Sequence, residues 1–175
     1  MEYCAFLRGV NVKGTNMKMA DVCRVFEDTG MDKVSSVLAS GNIIFSSGDN
    51  TDNLKSILEK AMSSRFNYDA SLFILSELQI AELIKNNPYE QSNDLHIYIF
   101  IGNRGVEEIL LKEFQQSLKT ELERGKIVKN AFYWQVPKGN TLDSTFGKVL
   151  GKKSLKDQFT SRNINTIEKI LKKMS

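Results

Sequence analysis

Four short apolar runs of strand character alternate with two helical patterns over the first 76 residues, and that rhythm leaves few folds open. The run Tyr3-Cys4-Ala5-Phe6-Leu7 comes first, followed by Met19, Val22, Cys23, Val25 and Phe26 at helical spacing, with Gly30 placed to end the helix as its C′ residue. Two strand-like stretches, 34–39 and 43–47, flank the turn Ser40-Gly41-Asn42, and Gly-Asn between such runs is a hairpin signal. Thr51 or Asp52 can cap a second helix with Leu54, Ile57, Leu58 and Ala61 on its inner face, and residues 70–75 close the unit as a strand. The order β-α-β-β-α-β is the ferredoxin-like motif.

A similar order recurs. Ser76 caps a helix running to Ile84, with Gln79 placed for a capping box, and Asn87-Pro88 stops it. Residues 95–101 read as a strand, and the turn Gly102-Asn103-Arg104-Gly105 leads into a helix carrying Val106, Ile109, Leu110 and Phe114. Stretches 126–128 and 131–136 pair around Lys129-Asn130, and Pro137-Lys138-Gly139 ends them. Two helices, near 142–150 and 162–174, finish the chain, the last with Ile164, Ile167, Leu171 and Met174 as its buried stripe. The expectation is an α+β protein of two ferredoxin-like lobes: residues 1–76, then 77–175 as a variant with basic C-terminal helices.

Composition narrows the chemistry. One histidine and two cysteines across 175 residues hold no zinc-type spacing, and no metal or cofactor motif is present. Cys4 and Cys23 sit within regular patterns and read as reduced, packed thiols. No apolar stretch reaches the roughly 20 residues of a membrane span, and the first residues lack a signal-peptide pattern, so a cytoplasmic protein with no membrane partner is expected. Residues 124–175 carry twelve Lys or Arg against three Asp or Glu, a net of +9, which leaves −6 for residues 1–123. Such asymmetry suits an anionic partner, attraction between the two parts, or simply a solvated face.

Three polar motifs interrupt this framework: Arg8-Gly9-Val10-Asn11-Val12-Lys13-Gly14, Ser40-Gly41-Asn42, and Ser161-Arg162-Asn163-Ile164-Asn165-Thr166. With strand order 4-1-3-2, the end of the first strand, the hairpin turn and the start of the first helix meet at one rim of the sheet. Arg8, Asn11, Lys13, Ser40 and Asn42 are therefore candidates to hold an anion, together with Arg162, Asn163 and Asn165 of the late motif. The glycines and asparagines serve equally well as turn residues and caps, with Arg8 as a structural tie. Gly9 and Gly14 have P-loop spacing, but Thr15-Asn16 follows where Lys-Ser/Thr is required, which removes a nucleotide triphosphatase.

Three functional classes follow: a binding module for a phosphorylated or nucleic-acid ligand, an enzyme using a cleft near Arg8 and Asn42, or an interaction module without a small-molecule site. An enzyme would need a carboxylate such as Asp21 or Asp49 beside Arg8. His96 alternates with the aliphatic residues of its strand and reads as a packed or edge histidine. Phe132 and Trp134 share one strand face and read as core, because the sequence around them lacks the glycine and spacing of an RNA-binding RNP1 motif.

The three motifs in this order, with Phe6-Leu7 before Arg8 and Ile43-Ile44-Phe45 after Asn42, resemble those of domain-of-unknown-function family 1697 over nearly the whole chain. The resemblance implies small, mostly bacterial proteins with a two-lobed ferredoxin-like structure, and no reaction. That family commonly has Trp where Ile164 stands and often a second Gly where Lys13 stands. The first departure weakens the case for an aromatic stacking platform at the late motif.

Overall fold

The computed structural model describes residues 1–10 and 17–175. Contacts divide the chain into two compact units, Met1–Ala81 with Glu168–Ser175, and Glu82–Ile167.

In the first unit the strands β1 (Glu2–Arg8), β2 (Asp32–Ser36), β3 (Asn42–Ser46) and β4 (Ser71–Ser76) form one antiparallel sheet in the order β2-β3-β1-β4. Helices α1 (Met19–Asp28) and α2 (Thr51–Phe66) supply the two crossovers. Every second residue of β1, namely Tyr3, Ala5 and Leu7, joins Ile43, Phe45 and Leu72 of its neighbours in a core closed by Val22, Val25 and Phe26 of α1 and Leu54, Leu58 and Met62 of α2. The i, i+4, i+8 ridge of α2 faces the sheet, which leaves Ile57, expected inside, 41% exposed. Its N-cap precedes both expected candidates, Thr51 and Asp52: Asn50 accepts from Asn53 N at 2.9 Å. Gly30 does follow the C-cap Thr29 with φ +88°.

The exposed edge of β4 is covered by side chains. Glu59 of α2 accepts from Leu72 N at 3.1 Å, Lys55 donates to Leu72 O, and Ser63 accepts from Ala70 N at 3.0 Å. Three residues spaced by one helical turn thus take the place of a fifth strand, which protects the edge from outside pairing.

Next along the chain after β4, α3 (Glu77–Lys85) starts with the expected capping box: Ser76 N donates to Gln79 Oε1 at 2.9 Å and Gln79 N to Ser76 Oγ at 3.3 Å. The second unit repeats the sheet order of the first. Strands β5 (Leu95–Gly102), β6 (Arg124–Val128), β7 (Ala131–Pro137) and β8 (Phe159–Asn163) lie as β6-β7-β5-β8, with α4 (Val106–Gln115) as the first crossover. Lys129 and Asn130, at φ +43° and +68°, make the tight turn between β6 and β7.

The sequence reading and the structure part company after β7. The helix expected near 142–150 is a pair of 3₁₀ turns, Phe146–Gly151 and Lys153–Leu155. Two constraints explain it. The Phe146 ring enters an aromatic cluster, 5.0 Å from Trp134 and 5.4 to 6.0 Å from Phe114, Phe132 and Phe100. Gly147 lies so close to the Thr141 carbonyl that a β-carbon has no room, while its N–H is held by Ser144 Oγ. The helix expected from residue 162 begins instead at Ile164 as α5 (Ile164–Met174), because Ser161, Arg162 and Asn163 complete β8 against Phe100, Ile99 and Tyr98 of β5. In α5 the residue most enclosed beside Ile167 is Ile170, not Leu171. As expected, Phe132 and Trp134 lie in the core.

Candidate polar sites and the cleft at the start of α5

The rim of the first sheet brings the early motifs together through backbone geometry. Leu7 N donates to Gly41 O at 2.8 Å, immediately before Arg8, and Asn42 lies opposite Phe6 in the β1–β3 register. Gly41, at φ +81°, packs so tightly that a β-carbon would sit 2.6 Å from Val10 Cγ2 and 3.0 Å from Leu7 Cβ. Asn42, nominated as a ligand group, is fully enclosed, and its amide donates to Val37 O and to Ser40 Oγ, both at 2.9 Å. A buried amide already spent on its own hairpin braces the turn rather than meeting a solute. Ser40 is exposed and Arg8 half-buried, opposite Ser71 of β4. Asn11 and Lys13 lie outside the described residues. Asp49 is at the opposite end of β1, where its carbonyl accepts from Tyr3 Oη, so it is no partner for Arg8.

The late motif separates into two parts. Arg162 is 7% exposed on the β8 face shared with Ile99, and its guanidinium donates to Thr160 Oγ1 at 2.6 Å and to Ser161 O at 2.8 Å. Asn163 and Asn165 instead line a cleft of about 460 Å³ within the second unit. Its walls include Gln91, Ser92 and Asn93 from the loop before β5, and Lys138 just after β7. That volume is in the range of small-molecule sites. Polar side chains and one cation dominate the lining, and the strand-to-helix junction at Asn163-Ile164 forms part of the wall together with Asn165.

Two side chains and one backbone N–H organise this junction. Asn165 N donates to Asn163 Oδ1 at 3.0 Å, which fixes the orientation of the Asn163 amide. Asn163 Nδ2, 2.9 Å from His96 Nδ1, is then the donor, an arrangement that matches the neutral imidazole carrying its proton on Nε2. Burial holds the imidazole below its ordinary pKa, and the positive charge of Lys138 pushes in the same direction. Sequence reasoning did not connect His96 with this motif. The connection needed β8 to be recognised as a strand beside β5.

No group of three or more His, Cys, Asp or Glu side chains capable of holding a metal ion occurs among the described residues. No described helix is long and apolar enough to cross a membrane.

Two sheets of identical order, each fed by a β-α-β-β unit, set the frame for comparison. The chain belongs to the DUF1697 family. The family model, described as a protein of unknown function, matches residues 1–133. This DUF1697 protein is also similar to a solved structure, the conserved bacterial protein SP0830 from Streptococcus pneumoniae, with 26% identity and a TM-score of 0.79. That likeness covers 99% of this chain and 98% of the other, so it extends past residue 133 over β8 and α5. No curated protein matches.

Proposed function

We propose that this DUF1697 protein is a binding module for a small anionic ligand, seated in the cleft at the start of α5. The observation that carries the reading is the composition of that cleft: Lys138 as its cation, Asn163 at the end of β8, Asn165 in the first turn of α5, and Ser92 and Asn93 as further neutral donors in the lining. A lysine supplies the charge, amides and hydroxyls supply directed hydrogen bonds, and the α5 N-terminus adds a favourable field for an oxyanion. A phosphorylated metabolite fits both the volume and the chemistry better than a polyanion does, because a single lysine neutralises only one charge.

The test is a thermal-shift and calorimetry panel of inorganic phosphate, nucleoside monophosphates and sugar phosphates. At least one member is expected to raise Tm, with about 2.7 kcal/mol of stabilisation when present at a hundredfold excess over Kd. Lys138→Ala should remove most of that gain while leaving the ligand-free Tm nearly unchanged. A flat response across the panel rejects the reading.

For the first-sheet rim a second reading fits better, that of a structural tie. Asn42 and Gly41 are engaged in contacts within the unit, and Arg8 follows Leu7, whose N–H donates to Gly41 O. On this reading Arg8→Ala lowers Tm and leaves the affinity of any cleft ligand unaltered.

A further inference from the structure

The second unit contains the chain's single histidine, and that histidine holds one end of the chain of hydrogen bonds that ends on the first turn of α5. We propose that His96 is a proton-operated positioning residue for the cleft: when its Nδ1 is protonated it draws the Asn163 carbonyl oxygen to itself and releases the Asn165 N–H to an oxyanion. The inference rests on the anion-binding reading above and names what regulates that site.

The argument is one of donors and acceptors. With neutral His96, Nδ1 accepts from Asn163 Nδ2, so Asn163 Oδ1 is turned toward Asn165 N and the α5 N-terminus is capped from within. Imidazolium carries N–H groups on both ring nitrogens and accepts nothing. Two donors 2.9 Å apart repel, and rotation of the Asn163 amide by 180° about its Cβ–Cγ bond relieves the conflict. That rotation places Nδ2 against Asn165 N–H, a second donor pair, so the Asn165 N–H loses its internal acceptor. An oxyanion in the cleft restores an acceptor there and also offsets the added charge. Proton uptake and anion binding therefore assist each other. The proton comes from solvent, and no covalent bond changes.

The surroundings of the ring are compatible with this role. Within β5 the Tyr98 ring lies 5.6 Å away, and Asp94 precedes the strand, its carbonyl accepting from Lys138 N at 3.0 Å. Beyond β7, Lys138 is the charged group whose field reaches the imidazole, while β8 and α5 contribute the neutral Asn163 and Asn165. Among these described groups no carboxylate side chain bonds the ring, which leaves a bound anion as the counter-charge that proton uptake calls for.

Sulfate is the suitable probe, because its charge stays at −2 throughout the titration of histidine. The His96 ring protons and the Asn165 amide are followed by NMR from pH 8 to 5, with and without sulfate, at ionic strength matched by chloride. One histidine in 175 residues makes the ring signal unambiguous. Sulfate is expected to raise the His96 pKa, and its affinity to increase as pH falls, by up to tenfold per pH unit between the free and bound pKa values. The variant His96→Gln, which keeps a neutral acceptor facing Asn163, should bind sulfate with an affinity that does not vary over the same range. If sulfate shifts the Asn165 amide but leaves the His96 pKa in place, the positioning role is overturned and the cleft reading stands. If sulfate moves neither signal at any pH, both are overturned.

Discussion

Tyr68 and Tyr133 bury the same hydroxyl with opposite results. Tyr133 Oη donates to Leu83 O at 2.8 Å, whereas Tyr68 Oη is enclosed without a hydrogen-bond partner among the described residues, near the Glu59 carboxylate. Desolvation pushes both phenols up to about 12, and the Glu59 charge adds to the effect on Tyr68. Because the neutral form is favoured in the fold, their contribution is complete below pH 10 and is lost as pH climbs from 10 toward 12. Tyr68→Phe removes an orphaned polar atom and should hold or raise Tm. Tyr133→Phe strands the Leu83 carbonyl and should cost about 1 kcal/mol in urea unfolding. His96 titrates with the reverse pattern, since its folded pKa lies below the ordinary value and the unfolded chain binds its proton first. Stability is therefore full above about pH 6.5 and declines below it, and a Tm series from pH 7.5 to 5.5 should show a slope that His96→Gln reduces.

At the level of elements, local grammar was readable and partnership was not. The Ser76–Gln79 box, Gly30 after α1 and the Lys129-Asn130 turn depend on residues within four positions of one another, so the chain displays them directly. β8 carries Thr160, Ser161, Arg162 and Asn163, which have no strand alternation of their own; it is a strand because β5 offers it a ladder. Its position also decides the late motif, sending Arg162 into the sheet and Asn163 to the cleft. Two substitutions test element-level devices. Gly41→Ala combines a positive φ with a collision against Val10 and should cost about 1–3 kcal/mol in the urea midpoint. Glu59→Ala leaves Leu72 N–H without its acceptor at the β4 edge and should cost about 1–3 kcal/mol, with a rise in concentration-dependent light scattering as the edge opens.

For the whole molecule, the fold redistributes charge. Along the chain the last 52 residues are strongly basic, but Glu168–Ser175 belongs to the first unit. Counted by unit, the first has eleven cationic and eleven anionic side chains, and the second has thirteen against ten, a net of +3. Neither unit as a whole carries the strong basic excess of a nucleic-acid-binding domain. Fluorescence anisotropy with short DNA and RNA should show weak binding with a shallow salt dependence, lost by about 150 mM salt.

The sequence by itself determined the two-lobed α+β architecture, because strand and helix periodicities are local properties that each segment carries alone. It also placed the polar motifs at element ends. Which of those residues face solute and which serve as internal braces was decided only by tertiary structure. Exposure and hydrogen-bond partnership are set by tertiary structure: Asn42 and Arg162 are buried and bond to their own hairpin and strand, while His96 meets Asn163 across 67 positions because β5 and β8 pair.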